Sequence, residues 1–172
     1  MKTETLVLCS GLGIASFALL LLIISVATPN WTDDGQGNQV GLFKSCWNMT
    51  CNTDNKVTQG GLSVVSILLL FFGIFTGVAA NFLESIAILP LVTTGFLFFS
   101  SMFLMSAYAT WGVASRDPSY NNNGLVSSSS SSCIAMSWSY NLAVASHFFL
   151  IIALTLVGMF AGNKFIGSRN TS

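Results

Sequence analysis

The sequence predicts an all-α membrane protein. The expected fold is a left-handed bundle of four transmembrane helices with a small, disulfide-stiffened extracellular β segment in its first loop. Three observations predict it. Hydrophobic residues make up 52% of the 172-residue chain and charged residues only 7%, against about 25% charged in a soluble domain. Four long stretches lack Lys, Arg, Asp and Glu. Two cysteines, Cys46 and Cys51, lie close together in the first polar connection. The same composition excludes other classes. Six basic and six acidic residues balance to zero, whereas a nucleic-acid partner requires a basic stripe. A disordered chain would be polar and poor in aromatics, and a soluble globule would need a more charged surface.

A membrane helix needs about 20 apolar residues, because the hydrocarbon core is about 30 Å thick. Thr5 to Thr32, Val57 to Leu83 and Ser85 to Ser115 carry no charge. Pro118 to Asn163 carries no Lys, Arg, Asp or Glu, although its first half is polar. Helices are therefore expected at about 6–28, 62–82, 86–109 and 138–161. Ser25-Val26-Ala27 has the small-x-small spacing of a signal-peptidase site. The apolar run before it is longer than the usual h-region, and Lys2 is nearly the only n-region charge, so the segment is read as a span. Helices 2 and 3 are joined by a few residues around Leu83-Glu84-Ser85 and form an antiparallel hairpin. The long connections, about 29–61 and 110–137, then lie on one side and both termini on the other. Residues 1–172 form a single four-span membrane domain.

Basic residues do not orient this bundle. Lys2, Lys164 and Arg169 lie on the terminal side, and Lys44, Lys56 and Arg116 on the loop side, which leaves the positive-inside rule undecided. The cysteines orient it better. A disulfide between Cys46 and Cys51 persists only in an oxidising compartment. Asn48-Met49-Thr50 between them is a glycosylation sequon, meaningful only on the lumenal side. The long loops are thus expected outside, with Asn48 glycosylated and the termini cytosolic. The alternatives for the cysteines are two free thiols or zinc, and zinc lacks two further ligands at workable spacing. Asn30-Trp31-Thr32 is a second sequon, held too close to the membrane for use. Cys9 reads as packing, and Cys133 is either an intermolecular disulfide or a buried thiol.

Lipid is as apolar as leucine, so membrane helices associate through close packing of small residues. Helix 2 places Ser66, Gly73, Gly77 and Ala80 on one face, helix 1 places Gly11, Ala15, Ala18 and Ser25, and helix 4 places Ala143, His147, Gly158 and Ala161. Gly73 and Gly77 form a GxxxG pair, read as packing inside the bundle, with a dimer seam as the alternative. His147 is the one ionisable side chain well inside a span. Such a residue is a functional candidate by default, but a neutral imidazole bonded to a neighbouring helix is the favoured reading. The spans otherwise lack buried charge, which disfavours a carrier or channel. Nothing in the sequence specifies a catalytic residue, a metal ligand or a nucleotide fingerprint, so neither enzymatic activity nor a cofactor is expected.

The first loop runs from Pro29-Asn30-Trp31 through a polar stretch to Gly41-Leu42-Phe43 and then Cys46 and Cys51. Trp31 suits the membrane interface, and Gly41-Leu42-Phe43 reads as a strand leading into a tight turn. This pattern resembles the four-span superfamily of claudins, peripheral myelin proteins, epithelial membrane proteins and lens fibre membrane intrinsic proteins. Their first-loop signature is Trp, then Gly-Leu-Trp, then two Cys. Here it is Trp31, then Gly41, Leu42 and Phe43, then Cys46 and Cys51. Ala107-Tyr108-Ala109-Thr110 and Ser137-Trp138-Ser139-Tyr140 look similar to the epithelial-membrane and lens-fibre branch rather than to true claudins. Phe43 replaces the signature's second Trp, the first loop is shorter than in claudins, and the tail ends in Asn-Thr-Ser, so no PDZ ligand is expected at the C-terminus.

The second loop carries Asn121-Asn122-Asn123-Gly124 and serines from Ser127 to Ser132, polar low-complexity sequence that buries little apolar surface. It reads as a spacer, with an adhesive or O-glycosylated segment as the alternative. The resemblance implies a structural membrane protein of cell–cell contact, adhesion or membrane organisation, acting through its outer loops at the plasma membrane or a cell–cell junction. Its partners would be the lipid bilayer and either further copies of itself or other membrane proteins, in cis or in trans. The alternative is an auxiliary or trafficking subunit that binds another membrane protein laterally.

Overall fold

A computed structural model of the protein describes residues 3–33, 39–47, 50–53, 57–83, 88–115 and 135–169. Asn48, the Asn and Ser runs of the second loop, and Cys133 lie outside the described residues. The elements are α1 (Thr3–Ala27), β1 (Thr32–Asp33), β2 (Gln39–Val40), β3 (Lys44–Trp47), β4 (Thr50–Thr53), α2 (Val57–Phe82), α3 (Leu89–Ala114), β5 (Ala135–Met136) and α4 (Trp138–Arg169). All four helices are long and apolar enough to cross a membrane. Their outward faces are apolar as well, with Phe17, Leu20, Phe71, Phe75, Phe99, Phe148 and Ile151 among the exposed side chains. Water would not tolerate so continuous an apolar surface on a monomer, whereas a bilayer is its natural solvent.

The helix bounds differ from the expected ones for identifiable reasons. α2 begins at Val57, well before 62, because its first turns are covered: Gly60 lies under the Phe43 ring and Gln59 is buried. α3 begins at Leu89 rather than 86, with Pro90 in its first turn, where a missing N–H costs nothing and the fixed φ suits a helix start. It runs to Ala114 because Trp111 is buried and ties its last turns to the core. α4 continues to Arg169, past the end of its apolar run.

Neighbouring helices run antiparallel and are joined by small residues and hydroxyls. Between α1 and α4, Ser146 donates to the Ala18 carbonyl at 2.7 Å and Ser25 to the Ser139 carbonyl at 2.6 Å. Gly11 lets Val157 approach, since a Cβ there would lie 2.9 Å from Val157 Cγ2. Between α2 and α3, Ser66 and Ser100 each donate to the other's carbonyl at 2.9 Å. Farther along that pair, Thr93 donates to Thr76 at 3.1 Å. A Cβ at Gly73 would lie 3.2 Å from Leu97 and Phe96 side-chain atoms, and one at Gly77 would meet Leu12 and Thr93. Both glycines are thus spent inside the bundle, against α3 and α1.

One part of the core fills the bundle around Leu8, Leu12, Ala15, Leu70, Leu97, Leu150 and Val157. A second part lies at the sheet end, around Leu22, Val26, Trp31, Leu42, Leu104, Trp111 and Ala143. The sheet is antiparallel in the order β4-β3-β2-β1-β5. Two expectations are corrected here. Gly41-Leu42-Phe43 is the turn between β2 and β3, closed by the Gly41 N–H donating to the Lys44 carbonyl at 2.9 Å, and not a strand. The sheet also extends beyond the first loop, because β5, just before α4, pairs Met136 with Thr32 and Ala135 with Asp33. Alternation alone could not reveal so short a strand, since two residues carry no period.

Candidate functional site

Trp31 follows α1 by a few residues and is 0% exposed. Its indole Nε1–H donates to the Ser25 carbonyl at 2.8 Å, one of the carbonyls that the end of α1 leaves free. Its backbone belongs to the sheet: its N–H donates to Val40 at 3.1 Å and its carbonyl accepts from Ser137 at 3.0 Å. The ring meets Trp111 edge-on at 5.4 Å and Tyr140 at 5.9 Å. One residue therefore ties α1, the sheet, α3 and α4 together. This places Trp31 in the core rather than on an interfacial surface.

Gly41 and Leu42 complete the anchor. A Cβ on Gly41 would stand 2.6 Å from Pro29 Cα and 3.0 Å from the Thr28 carbonyl oxygen. Only hydrogen fits where the turn crosses the end of α1. Leu42 is fully buried beside Trp31. Phe43 is 41% exposed and lays its ring over Gly60 of α2, so an aromatic at this position caps the start of α2. A hydroxyl cluster seals the same junction, with Thr28 Oγ1 2.7 Å from Ser139 Oγ. Asn30 Oδ1 and Trp111 Nε1 are buried nearby without a hydrogen-bond partner, while the Asn30 carbonyl accepts from the Ser139 N–H at 3.2 Å.

Beyond the anchor, β3 and β4 form a hairpin in which Cys46 faces Cys51 directly, and the two are joined as a disulfide. The spacing of the cysteines makes this a cross-strand link that closes the turn between them. Every residue of β4 is exposed. The outer strand of the hairpin, β4, is thus the part of the sheet that the anchor leaves uncovered.

His147 lies toward the same end of the bundle, half-buried between α3 and α4. Its Nε2 is 2.9 Å from Ser101 Oγ and its Nδ1 is 2.9 Å from the Tyr108 hydroxyl. A neutral imidazole has one N–H and one lone pair, so the two hydroxyls can satisfy it completely. Tyr108 then meets Tyr140 edge-on at 6.3 Å, and Tyr140 meets Trp31. The deeply buried stripe of α4 is Ser139, Ala143, Ser146, Leu150, Ala153, Val157 and Ala161. His147 and Gly158 flank it, which corrects the expected face.

Trp111, Tyr140 and Ser101 were not foreseen as partners of these residues. A usable signal existed for one contact: a Tyr and a His in adjacent apolar spans each need a polar partner. Among the described residues no cluster of His, Cys, Asp and Glu could hold a metal ion. Compared with known protein families and with curated protein sequences, the chain matches none.

Proposed function

We propose that the protein is a structural integral membrane protein of claudin-like type, acting in cell–cell contact, adhesion or membrane organisation through its outer loops. In this reading the sheet is extracellular, the helices form a left-handed bundle and the termini are cytosolic. The observation that carries it is the division of labour in the first loop. Trp31, Gly41 and Leu42 are consumed in fixing the sheet onto the helix ends, while β4, the outer strand of the Cys46–Cys51 hairpin, stands exposed. A hairpin stiffened and held rigidly at a membrane surface is suited to contact with another surface, because little ordering entropy remains to be lost on binding. The likeness of Trp31, Gly41-Leu42-Phe43 and the two cysteines to the claudin-type signature supports the same reading.

A second reading, lateral binding to another membrane protein, is favoured by the density of exposed aromatics on α2 and α3, where Phe71, Phe72, Phe75, Phe98 and Phe99 face outward. One experiment separates the two. Tagged protein is expressed in cells without junction strands, and these are mixed with non-expressing cells. Enrichment confined to borders between two expressing cells is the expected result. Uniform surface or vesicular signal removes homophilic contact and leaves the lateral role.

A further inference from the structure

α4 is longer than a bilayer core requires. Its 32 residues extend about 48 Å at 1.5 Å per residue, against a core about 30 Å thick. Its first residue, Trp138, is half exposed, as suits an interfacial anchor. About 20 residues of core-spanning helix after it bring α4 to the opposite boundary near Phe160. The α1–α4 pairings agree, since the antiparallel register set by Ser25–Ser139 and Ala18–Ser146 puts the start of α1 level with α4 residues just past 160. The remaining turns carry Lys164, Phe165, Ile166 and Arg169. The Lys164 ammonium bends back over the Phe160 ring, 5.9 Å from its centroid. Phe165 and Ile166 are 60% and 62% exposed. No Asp or Glu occurs anywhere from Pro118 to Ser172.

We propose that the last turns of α4, from Lys164 to Arg169, seat the headgroups of anionic phospholipids. The chemistry has three parts. Lys164 lays its alkyl stem along the apolar boundary and holds its charge at headgroup depth, as long cationic side chains do at interfaces. Phe165 and Ile166 enter the glycerol region beside it. Arg169, slightly more than a turn farther along α4, adds a second cation, of a residue type suited to paired recognition of phosphate or carboxylate.

The test uses the full-length protein in phosphatidylcholine bilayers, with spin-labelled phosphatidylserine or phosphatidylcholine as the probe. Electron spin resonance then reads the preference of the protein-contacting lipid shell. The wild type should prefer phosphatidylserine, and salt should weaken the preference. K164Q/R169Q should abolish it, each lost cation accounting for about fivefold at most, while K164R/R169K should retain it. A wild type with no preference, or a K164Q/R169Q protein that keeps the wild-type preference, overturns the proposal. Loss of the preference in K164R/R169K as well overturns it too, since the charges would not be the cause. The readout does not depend on any role in cell contact.

Discussion

At the scale of single residues, Gly41 and Trp31 have the least freedom to change. Gly41→Ala puts a methyl group against the Pro29 backbone, which cannot swing aside as a side-chain tip can. It should cost about 1–3 kcal/mol, as overpacking does, read as a lowered unfolding midpoint in detergent. Trp31→Phe keeps most of the ring but leaves the Ser25 carbonyl only the Thr28 hydroxyl at 3.2 Å, costing about 1 kcal/mol for one lost hydrogen bond. Trp31→Ala should cost about 3–5 kcal/mol, and equal losses for the two variants would show that the indole N–H, not the packing, carries the anchor. For His147, the double-mutant cycle of H147L with Y108F should give a coupling of about 1 kcal/mol. A coupling near zero would mean that the 2.9 Å bond contributes nothing net. The sequence identified Gly41, Leu42 and His147 as positions of note. It offered Tyr108 and His147 as polar groups in adjacent spans, each needing a partner, but only the packing of α3 against α4 brings the two together.

At the scale of elements, the hairpin and the helix pairs behave differently. Cross-linking a turn as short as that between Cys46 and Cys51 removes about 2 kcal/mol of unfolded-chain entropy. β4 pairs only with β3 and is exposed throughout. C46S/C51S should therefore loosen the hairpin while sparing the bundle. Hydrogen exchange should rise across 44–53 and stay unchanged in α2 and α3. Exchange that rises throughout the helices would show the bridge to be part of the global fold. The α2–α3 pair rests on the reciprocal Ser66–Ser100 bonds and on Gly73. Apolar runs and small-residue spacing announced these helices in the sequence. The five-stranded sheet was not announced, since β1, β2 and β5 are two-residue strands whose partners are chosen by the anchor beneath them.

At the scale of the whole molecule, the orientation of the chain is a prediction from Cys46, Cys51 and the sequon at Asn48. Glycosidase treatment should lower the apparent mass of the wild type and leave Asn48→Gln unaffected; a wild-type mass that does not change removes one support for outer loops and inner termini. Cys46→Ser alone should reduce surface delivery, because Cys51 then remains as a lone thiol in an oxidising compartment. Normal surface levels would argue against a structural bridge. The sequence by itself determined four apolar spans, the short α2–α3 connection and the closeness of two cysteines in the first loop. Each follows from local composition or short spacing, which needs no knowledge of distant chain. Only the tertiary structure decided that Trp31 is a buried tie among α1, α3, α4 and the sheet, that Gly73 and Gly77 face α3 and α1, and that residues 135–136 join the first loop as an edge strand. Those facts depend on contacts between segments far apart in sequence, and such contacts are selected by packing of the complete bundle.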